Sequence, residues 1–169
     1  FNDNFLHLKP DISVVTNIEM DHPEYFKNFE AVKDSFKKFL GQTKSAIVAN
    51  LSDPAVSGIV REVLISTRKQ FMGKKFIWID YSKNQIDIPL KIPGQFNRLN
   101  ASAAYRVGLL LRLNGLNIKQ SLQQYLGVGR RFEYIGEYKE AKVYSDFGHH
   151  PTEIKVTMEA AREKFPKNR

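Results

Sequence analysis

The strongest constraint on the fold is a pair of short apolar runs with an amphipathic stretch between them. Ile12-Ser13-Val14-Val15-Thr16 follows Pro10-Asp11, and Ala46-Ile47-Val48-Ala49 follows later in the chain. Neither run alternates cleanly between apolar and polar residues, so both read as buried strands. Between them Phe29, Val32, Phe36 and Leu40 recur at helical spacing, which predicts an amphipathic helix over about 28–40, stopped by Gly41. A strand, a helix and a second buried strand form the unit from which parallel sheets are built.

The pattern continues along the chain. The turn cluster Asn50-Leu51-Ser52-Asp53-Pro54 precedes an expected helix over about 55–66, and Lys75-Phe76-Ile77-Trp78-Ile79 reads as a third strand. Ile86, Ile88 and Leu90 alternate and predict a more exposed strand. After Pro93-Gly94, a helix is expected to carry Leu99, Ala103, Val107, Leu110 and Leu111; Gly115 should end it, with a short helix beginning near Asn117. Gly127 and Gly129 flank Val128 and mark the best domain boundary, so 1–128 and 129–169 are expected to be separate parts joined at a hinge. Beyond it, Phe132 to Tyr138 and Ala141 to Tyr144 read as strands. Pro151 opens a last helix whose expected apolar face is Ile154, Met158, Ala161 and Phe165. The fold class is α/β: a mostly parallel sheet with flanking helices, followed by a second part.

Composition narrows the chemistry. Of 169 residues none is cysteine, which excludes disulfides, thiolate zinc sites and cysteine nucleophiles. No apolar stretch is long enough to span a membrane as a helix. The net charge of +8 favours anionic ligands such as phosphates and nucleotides. The basic residues are scattered, with pairs at Lys37-Lys38, Lys74-Lys75 and Arg130-Arg131, and no RNA-binding aromatic signature stands out. The chain begins Phe1-Asn2-Asp3 without an initiator methionine or a signal sequence, and is expected to be an internal piece of a longer protein.

Four segments carry residues suited to chemistry. Thr16-Asn17-Ile18-Glu19-Met20-Asp21-His22 follows the first strand, where ligands of open α/β sheets bind. Its carboxylates and imidazole suit a metal or proton transfer, or form a solvated acidic loop with a surface histidine. Asn97 and Asn100 lie on one side of a helix's first turn and suit the edge of an adenine, or are a helix N-cap and a surface amide. Arg130 and Arg131 offer guanidinium forks to phosphate, or simply solvate the surface. Asp146, between a strand and a helix start, suits ribose hydroxyls; the His149-His150 pair beside it could be a metal fragment, but no third ligand has an obvious spacing, which argues against zinc.

In this order the segments resemble the Mur ligase superfamily of ATP-dependent amide-forming ligases, and above all its UDP-N-acetylmuramate–L-alanine ligase branch. Phe5-Leu6-His7-Leu8-Lys9-Pro10 with Val14-Val15-Thr16-Asn17-Ile18-Glu19-Met20-Asp21-His22 resembles the central domain. Asp146-Phe147-Gly148-His149-His150-Pro151-Thr152-Glu153-Ile154 resembles the start of the C-terminal domain. The resemblance implies the later part of a central ATPase domain over 1–128, then a hinge and the beginning of a Rossmann-like domain over 129–169. The G-x-x-x-x-G-K-S/T phosphate loop of the family does not occur in these residues, so residues 1–169 alone are not expected to turn over ATP.

Residue by residue, the resemblance implies that His22 is a magnesium ligand, that Asn97 and Asn100 line the adenine site, that Arg131 reaches the ATP phosphates and that Asp146 holds the ribose. His22 and Arg131 are the implied catalytic residues. Phe96 stands where the family usually has histidine, and can stack on adenine but not donate a hydrogen bond; Ser145 replaces a common aspartate. The implied cofactors are ATP and Mg2+, and the implied partners are UDP-N-acetylmuramate and L-alanine. Neither nucleic acid nor membrane is expected, and the expected location is the bacterial cytoplasm. The implied reaction is amide formation through an acyl phosphate in peptidoglycan synthesis. The alternatives are the related ligase that attaches murein tripeptide in cell-wall recycling, the more distant folylpolyglutamate synthase, which lacks the His-His-Pro-Thr element, and a non-catalytic nucleotide- or nucleic-acid-binding module.

Overall fold

The computed structural model describes residues 3–66 and 76–167. Three strands, β1 (Ile12–Val15), β2 (Ala46–Ala49) and β3 (Ile77–Asp80), form a parallel sheet in the order β1-β2-β3. Ser13 pairs with Ile47 and Ile47 with Trp78, in a register that runs the length of all three strands. All four β2 residues are buried because helices cover both faces of the sheet. Lys74 and Lys75 lie outside the described residues; the third strand otherwise falls where its apolar run places it.

Helix α1 (Phe29–Gly41) starts at Asn28, whose side chain accepts from the Ala31 N–H at 2.9 Å. Helix α2 (Pro54–Ser66) starts behind Asp53, whose Oδ1 accepts from Val56 N–H at 2.9 Å. Their apolar faces meet Ile47 and Ala49 in one core, with Val32, Leu40, Val56 and Ile59 at its centre. On the opposite face, Val48 and Tyr81 pack against Ala103 of α3 (Gln95–Leu110), with Leu99, Val107 and Leu110 around them. Ser13, buried at the sheet edge, is matched by Thr43, the two hydroxyl oxygens 2.6 Å apart. The edge strand is less enclosed than its apolar run suggests, since Val14 remains 42% exposed.

Three local expectations are corrected. Residues 86–90 form no strand; the Ile86 N–H is taken by Ser102 Oγ of α3 at 3.1 Å, so the segment lies along a helix and not on a sheet edge. Gly115 does not end α3 but opens α4 (Gly115–Gln124), behind the cap Asn114, whose side chain accepts from Leu116 and Asn117. Gly94, with φ 99°, holds the N-cap place of α3 that Asn97 was offered.

After Gly127, which has φ 97°, come β4 (Glu133–Tyr138), β5 (Ala141–Ser145) and α5 (Pro151–Lys164). The two strands form an antiparallel hairpin with a register shift between Tyr134 and Gly136. Helix α5 does not bury its predicted face. Ala160 is fully buried, whereas Ile154 and Met158 are about half exposed. The burial follows what α5 meets: Ala160 rests on Gly94 at the start of α3, close enough that a Cβ at Gly94 would stand 2.9 Å from the Ala160 Cβ.

Arg98 of α3 completes this junction with two bonds to Glu163, Nη1–Oε1 at 2.8 Å and Nη2–Oε2 at 3.2 Å. The hydrogen bonds from Arg98 hold the Glu163 carboxyl below its ordinary 4.5. A depressed acid contributes stability that is fully present above the unfolded value and is lost as pH falls through the folded one. Arg98→Ala is therefore expected to lower urea stability by about 0.2–1 kcal/mol at neutral pH. The gap from wild type should close below pH 4.5. A constant gap down to the acid limit would remove the ion pair as its cause.

Candidate functional site

The carboxyl ends of the parallel strands open into a cleft of about 1010 Å³. Thr16 and Asn17 after β1, Asn50 after β2 and Tyr81 after β3 line one wall. Asn97 and Asn100 enter from the first turns of α3, and Arg131, Asp146, His150 and Glu153 face them from the 129–169 part. All five residues singled out by the sequence, His22, Asn97, Asn100, Arg131 and Asp146, border this one cleft.

His22 sits in the left-handed region with φ 54°. Asp21 Oδ1 accepts from its backbone N–H at 2.8 Å, and its Nδ1 lies 2.9 Å from Glu24 Oε1. A neutral ring that donates Nδ1–H to Glu24 carries its lone pair on Nε2, which lies 3.8 Å from Asp21 Oδ2; a carboxylate orients a metal-binding imidazole in the same way. Glu24's own backbone N–H, and then the His22 ring, hold the Glu24 carboxyl below its usual range. Among the described residues no group of three or more His, Cys, Asp or Glu side chains could hold a metal ion. A magnesium ion at His22 would have to take its remaining ligands from phosphate oxygens and water, which is how this cation is usually held.

Asn97, the third residue of α3, donates from Nδ2 to Pro93 O at 2.6 Å, which orients its amide; Asn100 is exposed on the following turn. Arg131 stands between two residues with positive φ, Arg130 at 59° and Phe132 at 49°. Three bonds brace this segment. The Arg130 N–H donates to Glu133 Oε2 at 2.6 Å, the Phe147 N–H donates to Arg130 O at 2.7 Å, and the Phe132 N–H donates to Asp146 Oδ2 at 2.8 Å. Asp146 Oδ1 accepts in addition from the Gly148 N–H at 2.7 Å. Each Asp146 oxygen thus already holds one backbone group and has a lone pair left for a ligand hydroxyl. Arg131 Nη1 lies 3.5 Å from Glu153 Oε1.

Several contacts at the cleft were not legible in the sequence. His150 is the N-cap of α5: its Nδ1 accepts from the Thr152 N–H at 3.3 Å, while Glu153 Oε2 accepts from the His150 N–H at 3.4 Å. This is a capping box whose usual Ser, Thr, Asp or Asn is replaced by histidine, so the signature was hidden. Glu19 Oε2 accepts from the Thr152 hydroxyl at 2.7 Å, across 133 positions of sequence. Tyr81 is wholly buried, and burial, then Asp53 and Asp80, push its phenol up to about 12.

Residues 3–108 match the Mur ligase middle domain. The chain belongs to the Mur ligase family. It is 33% identical to the UDP-N-acetylmuramate–L-alanine ligase of Bdellovibrio bacteriovorus, over 98% of this chain and 41% of that protein. It is 35% identical to the enzyme of the same name from Caldicellulosiruptor bescii, over 92% of this chain and 38% of that protein. The crystal structure of the UDP-N-acetylmuramate–alanine ligase of Thermotoga maritima superimposes with a TM-score of 0.71 at 21% identity, over 98% of this chain and 41% of that chain. The present Mur ligase chain thus spans about 40% of the length of these relatives. No helix among its described residues is long and apolar enough to cross a membrane.

Proposed function

We propose that this chain supplies the nucleotide-facing part of a bacterial, cytoplasmic, ATP-dependent ligase that joins L-alanine to UDP-N-acetylmuramate in peptidoglycan synthesis. The observation that carries the proposal is the meeting of His22, Asn97, Asn100, Arg131 and Asp146 in one cleft at the carboxyl ends of the strands. In this reading 1–128 belongs to the central ATPase domain and 129–169 begins the C-terminal domain.

The family resemblance implies the roles, and the donors and acceptors present support them. The amides of Asn97 and Asn100 read the adenine edge, and the second lone pairs of Asp146 accept from ribose hydroxyls. Arg131 exchanges its 3.5 Å contact with Glu153 for phosphate oxygens, which its planar fork matches better. His22 Nε2 would be one ligand of a magnesium ion, which when bound would supply positive charge against the phosphate oxygens. The substrate carboxylate attacks the γ-phosphorus of ATP, and ADP leaves as the bridging P–O bond breaks. The neutral amine of L-alanine then attacks the acyl carbon, the C–O bond to phosphate breaks, inorganic phosphate leaves and the amine proton passes to solvent, giving the amide.

Phosphate release by the full-length protein, dependent on UDP-N-acetylmuramate and L-alanine together, tests the reaction; release with tripeptide in place of L-alanine would favour the recycling ligase. Losing a charge-assisted contact costs roughly 1.5–3 kcal/mol, so Arg131→Ala is expected to lower kcat/KM for ATP about 10- to 150-fold. UDP-N-acetylmuramate binding should be unchanged. Wild-type ATP kinetics in Arg131→Ala would remove it from the phosphate site.

A further inference from the structure

Helix α5 is tied to the rest of the chain at two places of different character. Toward its C-terminal end, fully buried Ala160 rests on Gly94 and the Arg98–Glu163 pair closes over the junction. At its N-terminal end the ties are polar. Glu19 Oε2 accepts from the Thr152 hydroxyl at 2.7 Å, and His150, whose Nδ1 is the acceptor for the Thr152 N–H, has Nε2 at 3.2 Å from Met20 O and can donate to it. The His150 and Glu19 side chains keep 26% and 33% of their surface exposed. Water can replace hydrogen bonds between such groups at little net cost. It cannot replace close packing of Ala160 on Gly94 in the same way.

We propose that Glu19 is a positioning residue, the catch of a releasable clasp that holds the N-terminal end of α5 against the loop after β1, with the Gly94–Ala160 contact as the pivot. Glu19 lies three positions before His22, and Thr152 follows Asp146 by six. When the catch is made, His22 on one wall and Arg131 and Asp146 on the other are held in register across the cleft. When it opens, the N-terminal end of α5 swings out and the walls separate. The carboxylate that the sequence offered as a metal ligand or proton carrier is, in this geometry, a hydrogen-bond acceptor between two elements. Movement of α5 can be followed without nucleotide or turnover, whatever reaction the cleft carries out.

The chain has no cysteine, so paired spin labels can be placed at will. Lys38, Lys155 and Arg162 are exposed. Lys38→Cys with Lys155→Cys reports the catch end of α5, and Lys38→Cys with Arg162→Cys reports the pivot end, by pulsed electron–electron double resonance on the whole 169-residue chain. Glu19→Ala and Thr152→Val are each expected to lengthen and broaden the 38–155 distance while the 38–162 distance keeps its wild-type distribution. Thr152→Ser keeps the hydroxyl and should restore the wild-type 38–155 distance. The two variants break the same bond from opposite sides, so if one fails to fold the other still decides the matter. The proposal is overturned if the 38–155 distance is unmoved by a folded catch variant. It is equally overturned if both distances move together, which would mean that α5 leaves as a whole, or if Thr152→Ser behaves like Thr152→Val.

Discussion

Asp146→Ala is expected to damage both the proposed nucleotide site and the segment that carries it. The Asp146 carboxylate accepts from Phe132 N–H at 2.8 Å and Gly148 N–H at 2.7 Å. Hydrogen bonds to a charged group are worth roughly 1.5–3 kcal/mol each. One of them holds Phe132 at φ 49°, a conformation that costs a bulky residue about 1–3 kcal/mol and persists only while its surroundings impose it. Once the carboxylate is gone, Phe132 can relax and Arg131 moves with it. In the full-length protein the loss in kcat/KM for ATP should therefore exceed the 10- to 150-fold expected of Arg131→Ala, because ribose acceptor and phosphate donor are lost together. In the chain by itself, amide exchange should speed up at Phe132 and Gly148. Asp146→Asn keeps one acceptor oxygen and should fall between the two. Unchanged ATP kinetics together with unchanged exchange at Phe132 would dismiss both roles.

Gly94→Val should be the most damaging single change at the α3–α5 junction. Gly94 has φ 99°, and a Cβ there would stand 2.8 Å from Phe96 Cε1 and 2.9 Å from Ala160 Cβ. The Phe96 ring can turn aside, but the Ala160 Cβ can withdraw only if α5 moves. Backbone strain and overpacking together predict a loss of about 2–6 kcal/mol, read as a fall in the urea midpoint. Ala160→Gly in the same chain should recover the overpacking part and leave the strain. A midpoint within about 0.5 kcal/mol of wild type, the range of ordinary surface substitutions, would show that the junction is looser than described.

Much of the architecture was legible because it rests on local periodicity. Phe29, Val32, Phe36 and Leu40 repeat at the helical period and do face one core, and the apolar run at 46–49 is the buried central strand. The order of the chemistry-bearing segments was legible too: 16–22 follows β1 and 146–150 lies between β5 and α5, whereas Asn97 and Asn100 sit in the first turns of α3 and Arg130-Arg131 just before β4. The alternation at Ile86, Ile88 and Leu90 misled because a period of two makes a strand only where a neighbouring edge offers hydrogen bonds, and here Ser102 on a helix takes the Ile86 N–H. Ile154 and Met158 misled because a helix's apolar stripe is buried only if something lies opposite, and what lies opposite α5 is Gly94, which admits a small alanine.

By itself, then, the sequence determined the α/β alternation and the parallel sheet, which follow from spacing along the chain and are local; the family was legible only through resemblance of its motifs to known proteins. Tertiary structure alone decided that His22, Asn97, Asn100, Arg131 and Asp146 share one cleft. It also decided that Asp146 braces the backbone around Arg131, and that Glu19 reaches Thr152 rather than standing free in an acidic loop. The physical reason is range: a hydrogen bond reaches only about 3 Å, so which donor meets which acceptor across 133 positions of chain is settled only when the helices have packed and brought the two loops together.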